Sequence, residues 1–233
     1  MIVAITGLRR EARIVVGEGV RAVACGGRAG VLRRELNGAL DHRVRGIISF
    51  GICAGLSPDV SPGACIIASE IVTPNERFPA DGGWAIRMRK ALPDAIQAPV
   101  AGVTSVLRNA AEKSALFDQT RALAADMESG VGAEIAQRHN LPFACLRCVA
   151  DQAVSGLPDA AIVALRENGT IDLAEVVGSL IRRPGQIPAL IRLARESRSA
   201  FAGLIRCRRL LGSSLAGPDF RPKAVPNHFP DVS

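Results

Sequence analysis

The sequence predicts an α/β fold built around a mainly parallel or mixed sheet. Two observations carry that reading. Short apolar runs of β type recur along most of the chain, and segments with apolar residues every three to four positions lie between several of them. Such alternation favours strands covered by helices, because each helix buries one stripe and each strand buries its faces. With 233 residues, 48% hydrophobic and 22% charged, the chain suffices for one well-grown core.

The β-type runs are Ile2 to Thr6, Ala22 to Cys25, Gly46 to Phe50, Cys65 to Val72, Val100 to Val106 and Pro142 to Val149. Helical spacing appears in Gly30 to Leu40, Asp81 to Ala91, Ala110 to Asp118, Met127 to His139 and Ala160 to Asn168. From Ile187 to Leu211 an amphipathic helix is expected. Ile187, Leu190, Ile191, Ala194, Phe201, Leu204 and Ile205 gather on one side at about 100° per residue, with Arg192, Arg195 and Arg206 on another. Three stretches result: a domain over 1–183, a basic amphipathic helix over 184–212, and a Ser, Gly and Pro-containing tail over 213–233 that is expected to be mobile.

The formal net charge of +7 is local. Residues 182–209 hold eight Arg and one acid, Glu196, and so carry the whole surplus, while the remainder is neutral. A nucleic-acid binder should carry its positive footprint across the folded domain, and seven Phe, one Trp and no Tyr leave little for base stacking. Nucleic acid is therefore not an expected partner. No stretch reaches 18 apolar residues, and Met1 leads straight into Ile-Val-Ala-Ile-Thr-Gly without a basic n-region, so a cytoplasmic location is expected. Five of the six cysteines sit in apolar runs, where packing explains them better than metal or redox chemistry; Cys145-Leu-Arg-Cys148 spells C-x-x-C inside a strand, away from a helix start. No metal ligand set is assigned.

Ligands of open α/β sheets bind beyond the carboxyl ends of strands. Three such segments are distinctive. Phe50-Gly51-Ile52-Cys53-Ala54-Gly55-Leu56 offers small residues and backbone N–H groups, in a loop that either admits a ligand or is a tight turn. In Ala125-Asp126-Met127-Glu128-Ser129, two acids precede a helix, where they either cap it or face a site. Arg147-Cys148-Val149-Ala150-Asp151-Gln152-Ala153 is an apolar strand ending in a carboxylate.

Together these segments resemble the nucleoside phosphorylase and nucleosidase superfamily, which includes purine nucleoside phosphorylases and methylthioadenosine/S-adenosylhomocysteine nucleosidases. The family's T-G-S-A-G-G-L loop corresponds to Phe50 to Leu56, its V-E-M-E segment to Ala125 to Glu128, and its R-x-I-S-D-x-A segment to Arg147 to Ala153. The resemblance covers about residues 1 to 180 and implies a three-layer sandwich with a central mixed β-sheet flanked by helices. It implies cleavage of the N-glycosidic bond of a purine nucleoside, without a cofactor, and with phosphate as a co-substrate if the reaction is phosphorolytic.

The resemblance also assigns roles. Asp151 protonates the purine leaving group at N7, which stabilises the departing base. Glu128 bridges the ribose 2′ and 3′ hydroxyls as the sugar gains oxocarbenium character. Met127 packs on the ribose, and Ile52, Cys53 and Ala54 line the purine site. Glu11, one residue closer to Gly7 than in the family pattern, activates water. Arg9 and Arg28, the latter in Gly26-Gly27-Arg28-Ala29-Gly30, are candidate phosphate ligands, with solvated arginines as the plain alternative. Three positions depart from the family: Ala150 replaces a Ser before the acid, Ile52 replaces a Ser in the purine loop, and Ser49 stands where bacterial purine phosphorylases have an Arg.

The Gly7-Leu8-x-x-Glu11-Ala12-Arg13-Ile14 opening, the Asp-Met-Glu-Ser variant and the basic helix are most similar to the hopanoid-associated phosphorylase subfamily. That resemblance implies release of adenine from adenosylhopane, leaving ribosyl- or phosphoribosyl-hopane, with the helix on an anionic membrane at the inner face. The alternatives are a helix packed on the core, a soluble methylthioadenosine/S-adenosylhomocysteine nucleosidase, and a non-catalytic purine-binding protein at the membrane surface. A homo-oligomer is expected in each enzymatic case.

Overall fold

The computed structural model describes residues 1–156 and 184–218. Eight strands, β1 (Ile2–Thr6), β2 (Val20–Ala24), β3 (Gly46–Gly55), β4 (Cys65–Val72), β5 (Arg77–Pro79), β6 (Ile96–Gly102), β7 (Ala124–Asp126) and β8 (Phe143–Asp151), form one mixed sheet. The helices are α1 (Arg9–Val15), α2 (Ala29–Ala39), α3 (Gly82–Ala91), α4 (Ala110–Thr120), α5 (Ser129–Arg138) and α6 (Ile187–Leu210). The expected central mixed sheet flanked by helices is the observed architecture.

The sheet also folds back on itself. β3 pairs with β7 and β8, β7 with β6, β6 with β4, and β4 with β8, so five strands close a circuit. β1 and β2 extend it in parallel beyond β3, and β5 pairs antiparallel with β4. Nothing in the apolar alternation of one strand records which distant strand will close the circuit.

Both sheet faces are covered, which is why β1 is buried along its whole length. Val3 and Ile5 join Leu32 and Leu36 of α2 and Val131 and Ile135 of α5. Ile2 and Ala4 join Val15 of α1, Trp84 and Met88 of α3, and Phe201 and Leu204 of α6. The same alternation sends Cys145 of β8 to the first core and Cys148 to the second. Two thiols on opposite faces cannot act together, so Cys145 and Cys148 do not form a C-x-x-C redox or metal pair with each other.

Several boundaries differ from the sequence reading. β3 runs on through Gly55, so most of the segment expected as a ligand loop is strand, paired with β8 and irregular between Cys53 and Ala54. Helix α1 and the three-residue strands β5 and β7 are too short to show a period. The helix expected over 160–168 lies outside the described residues. The tail expected from 213 onward requires correction for residues 213–218: Leu215 is fully buried, its carbonyl accepts from Trp84 Nε1 at 2.9 Å, and the Ala216 carbonyl accepts from Arg87 Nε at 2.9 Å. The indole N–H of a buried Trp needs a partner, and this turn supplies it.

Helix α6 divides by environment. Ala200, Phe201, Leu204 and Cys207 pack into the second core, and Arg10 of α1 stacks over the Phe201 ring at 3.9 Å from its centroid. Ile187 and Ile191, one turn apart near its start, are 44% and 48% exposed. None of the described helices is long and apolar enough to cross a membrane.

Candidate active site

The segments singled out from sequence converge at the carboxyl ends of β1, β3, β7 and β8. Asp126 ends β7, and its Oδ1 accepts the N–H groups of Glu128 and Ser129 at 2.8 and 2.7 Å. Asp126 thereby satisfies the start of α5, leaving the Glu128 carboxylate without a capping bond and able to turn inward. Of the two acids flanking Met127, one is structural and the other faces the site.

Glu128 lies against the turn after β1, where a Cβ on Gly7 would come within 2.8 Å of its Oε1. Cys25 Sγ donates to that oxygen at 3.9 Å, and an Arg147 guanidinium nitrogen donates to Oε2 at 3.3 Å. Burial pushes the Glu128 carboxyl up to about 7, outweighing the opposing charge of Arg147, with Asp126 and Glu11 adding to the rise. Met127 reaches the loop that carries Arg28, its Cε 3.6 Å from where a Cβ on Gly27 would stand.

Glu11 is buried in the first turn of α1. One carboxylate oxygen accepts the Leu8 N–H at 2.7 Å and the other accepts the Ile52 N–H at 2.8 Å. The second bond ties α1 to Ile52 of β3, and Gly51 permits it, since a Cβ there would meet Glu11 Oε1 and an Arg147 nitrogen at 2.6 Å each. Burial raises the Glu11 carboxyl above its ordinary range, opposed by Arg147 and by the backbone donors. The result is a more basic carboxylate held in one orientation.

Arg147 is fully buried in β8 and organises the cluster. It donates to Ser49 Oγ at 2.5 Å, Asp126 Oδ1 at 3.0 Å, Ser129 Oγ at 3.3 Å and the Ile52 carbonyl at 3.2 Å, besides Glu128. Ser49, at the position that departs from the phosphorylase pattern, is thus a ligand of this guanidinium. An isolated buried arginine would be very costly, and two carboxylates compensate it.

Asp151 ends β8 opposite Ala54 of β3. It is buried and ion-paired with Lys113 of α4, whose ammonium also donates to the Gln152 carbonyl at 2.7 Å. Burial raises the Asp151 carboxyl and Lys113 pulls it back. Ile52, Cys53 and Ala54 therefore lie between the element carrying Glu11 and the strand end carrying Asp151. Arg9 and Arg28 are exposed, at the starts of α1 and α2.

Sequence reasoning missed the roles of Arg147 and Lys113. Arg147 had a signal, a charge inside an otherwise apolar strand. Lys113 had none, because Ala110 to Thr120 reads as an ordinary surface helix and only the packing of α4 against the end of β8 buries its ammonium.

The family model of the phosphorylase superfamily matches residues 14–183. Solved structures share the fold at low identity. A 5′-methylthioadenosine/S-adenosylhomocysteine nucleosidase from Helicobacter pylori superposes with a TM-score of 0.65 at 12% identity, covering 90% of this chain and 97% of that one. The corresponding nucleosidase from S. pneumoniae gives 0.62 at 15%, covering 90% and 99%. Futalosine hydrolase of Helicobacter pylori gives 0.62 at 12%, covering 88% and 96%. A search of curated proteins finds no match. With the greater part of its length matched by one family model, the chain belongs to the phosphorylase superfamily.

Proposed function

We propose that this superfamily member, an enzyme of N-glycosyl bond cleavage, acts on a purine nucleoside. The observation that carries the reading is the gathering of three buried carboxylates, Glu11, Glu128 and Asp151, about the apolar segment Ile52 to Ala54. In the proposed reaction Asp151, whose carboxyl burial raises against the pull of Lys113, donates a proton to N7 of the leaving base. Glu128, ionised against Arg147, holds the ribose hydroxyls more tightly as positive charge develops on the sugar, and Met127 covers the ribose face. Glu11 is positioned to take a proton from attacking water. Arg9 and Arg28 are the candidate ligands if phosphate attacks instead.

The substrate proposed is adenosylhopane, with adenine released and ribosyl- or phosphoribosyl-hopane left. Support comes from the resemblance of Gly7 to Ile14 and Asp126 to Ser129 to the hopanoid-associated subfamily. Further support comes from the first half of α6, which exposes Ile187 and Ile191 beside Arg192 and Arg195, a combination suited to an anionic bilayer surface. The protein would then be cytoplasmic and peripheral at the inner membrane face, as a homo-oligomer. A soluble methylthioadenosine/S-adenosylhomocysteine nucleosidase is the second reading, favoured by the fold shared with two such nucleosidases.

The test is adenine release from adenosylhopane and from methylthioadenosine, each with and without phosphate. Turnover of adenosylhopane alone supports the lead reading, and the phosphate dependence identifies the acceptor. Turnover of methylthioadenosine alone moves the assignment to the soluble enzyme. Adenine from neither substrate overturns both and leaves a purine-binding protein.

A further inference from the structure

Away from the carboxylate cluster, three cysteines from three elements converge in the second core. Cys65 opens β4 and Cys148 lies directly opposite it in the antiparallel ladder of β4 and β8, so both side chains project from the same face. Cys207 descends onto them from α6. The Cys65 sulfur is 3.0 Å from that of Cys148 and 3.1 Å from that of Cys207, and all three sulfurs lie within 4.8 Å of one another. Non-bonded heavy atoms ordinarily sit about 3.5 to 4 Å apart, so this is closer than apolar packing alone requires. The approach depends on Gly203, one turn before Cys207: a Cβ there would meet the Gly63 carbonyl at 2.9 Å and the sulfurs of Cys148 and Cys65 at 3.4 and 3.5 Å.

We propose that Cys65, Cys148 and Cys207 bind one thiophilic metal ion, such as Zn²⁺ or Cu⁺, which pins α6 to the sheet. Thiolates select such ions over oxygen-seeking Mg²⁺ or Ca²⁺, and among the described residues the group consists of the three sulfurs alone. Each thiol gives up its proton as the metal–sulfur bond forms, and no electron transfer is involved. Three sulfurs around a tetrahedral zinc are about 3.8 Å apart, so side-chain rotations that spread them by about 0.7 Å complete the site. A small surface pocket lined by Cys65, Cys207, Asp94 and Arg206 gives access. It also offers room for water as a fourth ligand of zinc, whereas Cu⁺ is satisfied by three sulfurs. Arg206, paired with Asp94 at 3.7 Å, lies on that side and offsets the negative charge of a tris-thiolate complex.

The experiment takes the full-length protein, purified reduced and without chelator, for elemental analysis. Metal-stripped protein is then titrated separately with Co²⁺, as a spectroscopic stand-in for zinc, and with Cu⁺. The expected result is about one ion per chain and a thiolate-to-metal charge-transfer band saturating at the same stoichiometry. Cys207→Ser and Cys148→Ser should weaken binding by at least about tenfold, and Cys145→Ser, on the opposite sheet face, should not. Because the wild-type titration needs no variant, a misfolded substitution does not obscure the answer. Failure to bind either ion overturns the proposal, as does a band that survives loss of Cys207. Fewer than the six free thiols in unreduced, denatured protein would assign the cluster to a disulfide and overturn it equally.

Discussion

The Lys113 ammonium and the Asp151 carboxylate form a buried ion pair between the first turns of α4 and the end of β8. Burial raises the Asp151 carboxyl above its ordinary range, and Lys113 opposes that rise. Lys113→Met should move the alkaline limb of the kcat against pH profile upward by about one unit or more, because Asp151 then keeps its proton longer. Asp151→Asn should lower turnover by about a hundredfold and abolish that limb. An unmoved limb in Lys113→Met would separate the lysine from the acid.

Glu128 gives a second pH signature. Its carboxyl stands at about 7 in the fold against an ordinary 4.5, so the folded chain holds a proton over this interval that the unfolded chain has released. This contribution to stability is fully present below pH 4.5 and is lost as pH rises through 7. Thermal melts of the wild type and of Glu128→Gln should therefore diverge between these values, the variant showing the flatter dependence. In the proposed reaction the sign is opposite, since the role proposed for Glu128, accepting both ribose hydroxyls, needs its ionised form. kcat/KM for a ribonucleoside should fall about tenfold per unit below pH 7, and a 2′-deoxyribonucleoside should be affected less.

Arg147 compensates two buried carboxylates, so its removal should be felt first as lost stability. Arg147→Met should cost about 3 kcal/mol or more in denaturant unfolding, because Asp126 and Glu128 are left buried and unpaired. Retention of wild-type stability would show that the cluster is wetter than its burial implies.

Gly51→Ala probes the site without altering a charged group. The added methyl meets Glu11 and Arg147 at 2.6 Å each, so it should displace both and lower turnover by at least about tenfold. The KM of a substrate held mainly through its base should change less. An unchanged kcat would remove Glu11 from the reaction.

Truncation after Gly212 tests the corrected tail. Leu215 is fully buried and its carbonyl holds the Trp84 indole, so deleting residues 213–233 should destabilise the protein by about 2 to 4 kcal/mol. Unaltered unfolding would return residues 213–218 to the solvated tail expected from their composition.

The sequence by itself determined the α/β class, most strands and helices, the segregation of the positive charge near the C-terminus, and the segments holding Glu11, Glu128 and Asp151. These are local properties: a period of two or three and a half, a glycine at a turn, an acid at a strand end. Only the tertiary structure decided that Asp126 caps α5 while Glu128 faces inward, that Arg147 binds both, and that Lys113 pairs with Asp151. It also decided that Cys148 meets Cys65 and Cys207 while Cys145 faces the other core. The reason is physical. Whether a charge is solvated or buried, and which sulfurs meet, depends on which strands close the circuit and how near each helix approaches the sheet. Those outcomes are set by the summed packing of residues far apart in the chain, which no single segment encodes.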